Sequence, residues 1–229
     1  MGGPTLNVMT VTERAPLTRQ RVADAALALI DDQGLEGLSM RKLGASLGVE
    51  AMSLYNHVSN KDDLLHAVTD ELYVKILGAY GEPKGDWRSK ARRMAAGYVH
   101  VAAEHPNAIP LLVERPVATP RGQEFMGRVV LIFDDATDDM RLAALAFSVA
   151  SSWVVGTLVQ EQNMVRQLAA DPAPSRPTVD ASTLDGSAPE DTALARFREA
   201  YASVLSSEER VSDGLEAVLD GIESRYFST

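Results

Sequence analysis

Apolar residues recur at every third or fourth position through most of this chain, a spacing that predicts an all-α fold. The first stripe is Val22, Ala25, Ala26, Leu29 and Ile30, in a helix capped at Thr18 and stopped before Gly34. Leu35 and Leu38 complete the small core it faces. Residues 38–61 (LSMRKLGASLGVEAMSLYNHVSNK) then read as two short helices about a tight turn. Ser39 stands where a hydroxyl can accept from the free N–H groups of a first turn, and Leu43 and Leu47 share one apolar face. Gly48 ends that helix with a residue that tolerates positive φ. Beyond the pivot Val49, a second helix is predicted from about Glu50 to His57, with Leu54 and Val58 inward. Two short helices joined steeply by a glycine turn describe a helix-turn-helix.

The helical period continues downstream. Ser59 and Asp62 have the spacing of a capping box, and the helix they open runs to about Tyr80, with Leu64, Leu65, Val68, Leu72 and Ile76 on one side. Such a rod is on the order of 30 Å long. Gly81 to Gly85 break the pattern. Further helices are predicted from Asp86 to Glu104, Ala108 to Glu114, Arg121 to Asp134 and Asp138 to about Leu168. The last of these is crowded with alanine and serine and apolar nearly all round, so it should be buried on two sides. Residues 169–189 are Pro-, Ser- and Asp-rich and predict a mobile loop. Helices at about 190–206 and 208–226 follow, the second striped by Val211, Leu215, Val218, Leu219, Ile222 and Tyr226. Residues 1–16 have no period and read as a disordered tail, with a minor-groove arm through Arg14 as the alternative.

The outward residues of the helix-turn-helix suit base edges and phosphates. Ala51, Met52, Ser53, Tyr55, Asn56 and His57 are uncharged or weakly charged; Asn56 can pair with adenine, and Met52 can meet a thymine methyl. Arg41 and Lys42 open the first helix and Lys61 follows the second, and all three suit phosphate oxygens; Ser39 and Met40 beside them are further candidates for DNA contact. The competing reading is a surface hairpin whose polar residues are merely solvated.

The run from Leu17 to Leu65 also resembles the DNA-binding domain of the TetR family of bacterial transcriptional regulators. The resemblance rests on G-x-x-G-L-S at Gly34 to Ser39, R-K-L at Arg41 to Leu43 and L-G-V at Leu47 to Val49. It continues in L-Y-x-H-V at Leu54 to Val58 and in Asn60, Lys61, Leu64 and Leu65. It implies a helix-turn-helix domain at 17–66 and a ligand-binding and dimerisation domain at 67–229, joined by the helix of 61–80. It implies a cytoplasmic homodimer bound to a palindromic double-stranded DNA operator and released by a small-molecule effector. The long C-terminal helices would pair across a two-fold axis. Candidate effector contacts are Met94, Tyr98, Phe125, Val129, Phe147, Trp153 and Gln160, apolar and aromatic walls with a few polar handles.

Relatives that bind magnesium–tetracycline use two histidines; the matching places here hold Leu77 and Pro110 or Leu111, so no metal or other cofactor is predicted. His100 with Glu104 could hold a metal but reads more simply as a surface pair. No phosphate loop or nucleophile motif stands out, and Ser148, Ser151 and Ser152 lie inside a helix, where hydroxyls bond back to carbonyls; catalysis is not expected. The chain has no cysteine and no unbroken apolar run of membrane-spanning length, so no membrane partner is predicted. Its net charge of −10 over 229 residues opposes DNA binding, and residues 1–66 still carry six Lys or Arg against eight Asp or Glu. Placement has to overcome this: Arg19, Arg21, Arg41, Lys42 and Lys61 flank the turn, and Asp31, Asp32, Asp62 and Asp63 are expected on the far side. The alternative function is a helical small-molecule carrier with a vestigial helix-turn-helix.

Overall fold

The computed structural model describes residues 16–82, 84–114, 119–170 and 207–227, and these are helical with no strand among them. Helices α1 (Arg19–Gln33), α2 (Met40–Leu47) and α3 (Ala51–Leu54) form the N-terminal unit, with a 3-10 turn at Leu35–Gly37. Helix α4 (Lys61–Tyr80) leads to α5 (Trp87–Glu104), α6 (Ile109–Glu114), α7 (Pro120–Asp134), α8 (Met140–Ala170) and α9 (Ser207–Ile222), and a π turn at Glu223–Phe227 follows α9. The tail through residue 15, most of the expected loop at 169–189 and the expected helix at about 190–206 lie outside the described residues.

Local chemistry sets the helix starts. Thr18 Oγ1 accepts from the Arg21 amide, Ser39 Oγ from the Lys42 amide, and an Asp86 carboxylate oxygen from the Ser89 amide. The start of α4 is one residue later than the sequence pattern suggests. Asn60, not Ser59, is the N-cap, accepting from the Asp63 amide, while the Asp63 carboxylate reaches back to the Ser59 amide. Both residue types can cap, so spacing alone could not choose between them. Gly48 ends α2 in the left-handed region (φ 64°, ψ 38°), a conformation that costs glycine little. At Gly44 the constraint is space: a Cβ would stand 2.9 Å from the Val49 carbonyl oxygen, so α2 and α3 approach nearly backbone to backbone.

Helix α4 holds the molecule together. Leu64, Val68, Leu72 and Ile76 are fully buried, as are Ala67, Thr69, Tyr73 and Tyr80, because α1 covers one flank while α5 and α7 cover the other. The hydrophobic core therefore runs without interruption from Val22 and Ile30, through α4, to Phe125 and Ile132. Polar contacts reinforce the same joints. An Asp70 carboxylate oxygen accepts from the Arg121 amide in the first turn of α7, and Arg93 Nε donates to the Tyr80 carbonyl. Arg88 reaches Glu216, Asp220 and Glu223, tying α5 to α9, and Glu216 also pairs with Arg92, which holds its carboxyl down at about 2.

Two apolar stripes differ from expectation. In α1, Ala23 and Leu27 are buried while Ala25 and Leu29 are half-covered, because α4 and α2 meet α1 about one position around its circumference. In α8, Ala143, Ala146, Ala150, Val154 and Leu158 are buried, but Leu145 and Val149 are each 40% exposed and Met140 55%. Within one chain α8 is thus covered on one side only. Its stretch Met140–Asn163 is also long and apolar enough to cross a membrane, with a mean hydropathy of 1.9 and 33% of it buried. The sequence criterion passed over it because serines, Gly156 and Thr157 interrupt the apolar run.

Asp63 is expected on the far side from the basic residues but pairs with one of them. Arg19 donates to Asp63 Oδ2 at 3.0 Å and Oδ1 at 2.5 Å, and to the His57 and Asp63 carbonyls at 3.1 and 3.2 Å. The guanidinium and the Ser59 amide hold the Asp63 carboxyl far below the usual range. Arg19 is therefore a staple between α1 and the start of α4, not a free phosphate ligand.

Two stability tests follow from these contacts. Gly44→Ala should destabilise by about 1–3 kcal/mol through overpacking. Gly78→Ala, in an exposed part of α4 with nothing within 4 Å of its Cβ, should stabilise by about 0.5–1 kcal/mol; thermal melts of both variants check the opposite signs. A cycle of Arg19→Ala and Asp63→Ala should give about 0.5–1 kcal/mol of coupling at neutral pH, discounted because Arg19 is 46% exposed. A depressed carboxylate stabilises above its unfolded pKa near 4 and loses that contribution as pH falls through its folded pKa. Melts in acid should therefore show the coupling disappearing.

Candidate nucleic-acid interface and ligand cavity

The second helix of the helix-turn-helix is shorter than its sequence predicts. Regular α-helix covers Ala51–Leu54, and the chain then tightens: Tyr55, Asn56 and His57 amides donate to the carbonyls of Met52, Ser53 and Leu54, three residues back. This 3-10 winding aligns side chains three apart, so Met52 and Tyr55 share one edge and Ser53 and Asn56 the next. Leu54 and Val58, 0% and 1% exposed, pin the segment from beneath. Met52 is 72% and Tyr55 43% exposed, large apolar surfaces held outward on a segment with little freedom to turn them in.

The other predicted contacts divide. Arg41, Asn56 and Lys61 are exposed, while Ser53, Ala51 and His57 are half-buried beside the same edge. Lys42 is exposed but donates to Gln33 Oε1 at 2.6 Å. The Ser39 hydroxyl is engaged as the cap of α2, and Met40 packs against the core, so neither presents a group outward in the way predicted. The exposed residues are Met52, Tyr55 and Asn56 of this segment, Arg41 in the first turn of α2 and Lys61 at the start of α4. Arg19 and Asp63 are the residues sequence reasoning misassigned; their pairing spans 44 positions and has no local signature.

The C-terminal helices line a partly open cavity of about 300 Å3. Met94 and Tyr98 of α5, Phe125 and Val129 of α7 and Phe147 of α8 line it, as predicted. Trp153 and Gln160 do not. The Trp153 indole lies against α9, so close that a Cβ on Gly214 would meet its ring at 2.1 Å, and Gln160 is exposed beyond the cavity. Tyr73 of α4 lines the cavity and was not anticipated. Its signal was present in the second buried row of α4 (Thr69, Tyr73, Ile76, Tyr80), spaced by four, three and four residues. The Ser151 hydroxyl donates back to the Ser148 carbonyl at 3.3 Å, the local bond expected of a helical serine.

At the places where magnesium–tetracycline binders carry histidines, Leu77 and Pro110 offer no side-chain donor and Leu111 is fully buried. These residues do not fit a magnesium ion. His100 and Glu104 form an exposed pair at 3.7 Å. His105 is differently placed: at the end of α5, its Nδ1 meets Asp31 Oδ2 of α1 at 2.8 Å, and Asn107 donates to the Asp31 carbonyl at 3.0 Å. A direct polar link therefore joins a cavity helix to the helix-turn-helix unit.

Residues 22–68 match the model of bacterial regulatory proteins of the tetR family, and residues 81–226 match the tetracyclin repressor-like C-terminal domain. The HTH-type transcriptional repressor DrrR1 of Streptomyces coeruleorubidus is 33% identical over 135 residues, 56% of this chain and 50% of that repressor. The chain thus spans about half the length of DrrR1. The tetracycline repressor protein class D of Escherichia coli is 28% identical over 215 residues, 92% of this chain and 88% of that one. Among solved structures, the Streptomyces coelicolor TetR family protein ActR in complex with actinorhodin aligns at a TM-score of 0.70 and 27% identity, covering 93% of this chain and 100% of ActR. With one of these models spanning 81–226, the chain belongs to the TetR family of bacterial regulators.

Proposed function

We propose that the protein is a homodimeric transcriptional repressor that binds a palindromic DNA operator and is released from it by a small molecule in the C-terminal cavity. The observation that carries this reading is the rigid outward presentation of Met52, Tyr55 and Asn56 above the buried anchors Leu54 and Val58. Base edges offer partners for those groups, and the exposed Arg41 and Lys61 on the elements before and after them suit the flanking phosphates. The exposed stripe of Met140, Leu145 and Val149 supports a two-fold interface in which α8 and α9 of each copy form a four-helix contact. Two reading edges would then enter successive major grooves about 34–36 Å apart. Such a partner supports a cytoplasmic location.

Release needs only that the effector prefer one arrangement of the two units over another. Tyr73 supplies the route, since it touches the cavity and belongs to the helix whose first turn follows the reading edge. The Asp31–His105 contact is a second tie that such a shift would have to accommodate.

A carrier with a vestigial helix-turn-helix is the second reading. It is favoured by the acidity of the chain and by the pairing of Arg19 with Asp63, which leaves one cation fewer for phosphate. Fluorescence anisotropy with labelled DNA from the flank of its own gene separates the two. Tyr55→Ala should weaken binding by about tenfold, the scale of one lost base-edge contact. Lys61→Ala should weaken it across sequences and reduce the salt slope by about 1. Both variants should keep the wild-type sedimentation coefficient. A wild-type protein without salt-sensitive binding at low ionic strength is a carrier.

A further inference from the structure

The cavity has walls of a definite character. Tyr73 and Phe125 stand with ring centroids 5.0 Å apart, and Tyr98 and Phe125 6.3 Å apart, so α4, α5 and α7 contribute one continuous aromatic wall. Phe147 and Val155 of α8 also line the cavity. Among the described residues, no Asp, Glu, Lys, Arg or His lines it; the polar side chains are Tyr73, Tyr98, Ser151 and Ser152. The Ser151 hydroxyl is already given to the Ser148 carbonyl. Burial pushes the Tyr73 phenol up to about 12 and Tyr98 further still, so both remain neutral and neither can serve as a countercharge.

An ion placed here would lose part of its hydration and gain no opposite charge from the described lining, which is costly for a charge held against apolar walls. A flat, neutral ring system loses little hydration and meets faces that favour offset or tilted stacking. The Tyr98 hydroxyl, which makes no hydrogen bond among the described residues, then calls for a partner oxygen on the ligand. A volume of about 300 Å3 suits a compact molecule of this kind.

We propose that the cavity takes an uncharged, flat aromatic ligand carrying a hydrogen-bonding oxygen, with the rings against the Tyr73–Phe125–Tyr98 wall and the oxygen at the Tyr98 hydroxyl. This rests on the reading of the cavity as the effector site and narrows the effector to a chemical class. Metal chelates and anionic or cationic amphiphiles are excluded from it.

The test uses three molecules with one two-ring skeleton: 2-naphthol, naphthalene and 2-naphthalenesulfonate, titrated calorimetrically into the full chain near pH 7 without DNA. The neutral phenol should bind at least about tenfold more tightly than the sulfonate. Tyr98→Phe should weaken 2-naphthol by about tenfold and leave naphthalene within about twofold, a split that a merely loosened fold would not produce. Val129→Trp, which fills the cavity, should remove binding of both neutral compounds. Sulfonate binding equal to or tighter than that of 2-naphthol overturns the proposal. So does a Tyr98→Phe effect that falls equally on naphthalene, or a chain that binds none of the three. Because DNA is absent from the titration, the two readings fail separately. A chain that binds 2-naphthol as expected but never binds DNA is no repressor yet keeps this ligand class. One that binds DNA but prefers the sulfonate keeps the repressor and loses the class.

Discussion

Helix α4 is packed on two flanks by two different groups of helices, and this double burial is the constraint on which the molecule depends. Leu64, Val68, Leu72 and Ile76 cannot leave α1 without also disturbing α5 and α7, because one uninterrupted core joins them. A helix with a single buried face would let the helix-turn-helix swing freely about residue 61. A helix buried on both flanks has few alternative positions, and interfaces packed this closely shift between discrete arrangements more readily than they deform. Cavity and reading edge can therefore influence each other through one element, with the Asp31–His105 contact as a second point of attachment.

The acidity of the chain looks unfavourable for a DNA-binding protein, and the ion pairs sharpen the problem. Arg19 is neutralised by Asp63, so fewer unpaired cations remain near the edge than a count of basic residues suggests, while Lys42 keeps its charge but is held by the Gln33 amide oxygen. Among the described residues, Arg41 and Lys61 stay exposed on the elements before and after the segment that carries Met52, Tyr55 and Asn56. With few cations to neutralise phosphates, such a surface would depend on base contacts more than on bulk attraction.

Much of this architecture was legible in the order of residues. Caps at Thr18, Ser39 and Asp86, the left-handed Gly48 and the stripes of α5 and α7 are local features, and local features survive into the fold. The displaced cap at Asn60 shows the limit of spacing when two neighbouring residues can both cap. Arg19–Asp63 and Gly214–Trp153 were not legible because each joins residues far apart in sequence. Trp153 illustrates the cost for the cavity: α8 is apolar on several faces, and its periodicity cannot say which face meets α9 and which meets the ligand space. Tyr73 is hidden for the opposite reason: the stripe of Leu64, Val68, Leu72 and Ile76 already accounts for a connecting helix, and the second buried row has its meaning only once α5 and α7 cover it.

Native-state hydrogen exchange measures the shared burial of α4 most directly. The amides of residues 64–76 should fall in the most protected class and lose protection together with those of α1 and α5, as one cooperative unit. If the first half of α4 instead opened with α1–α3 while its second half stayed protected with α5 and α7, the two units would be independent and α4 a hinged linker. That result would contradict the account.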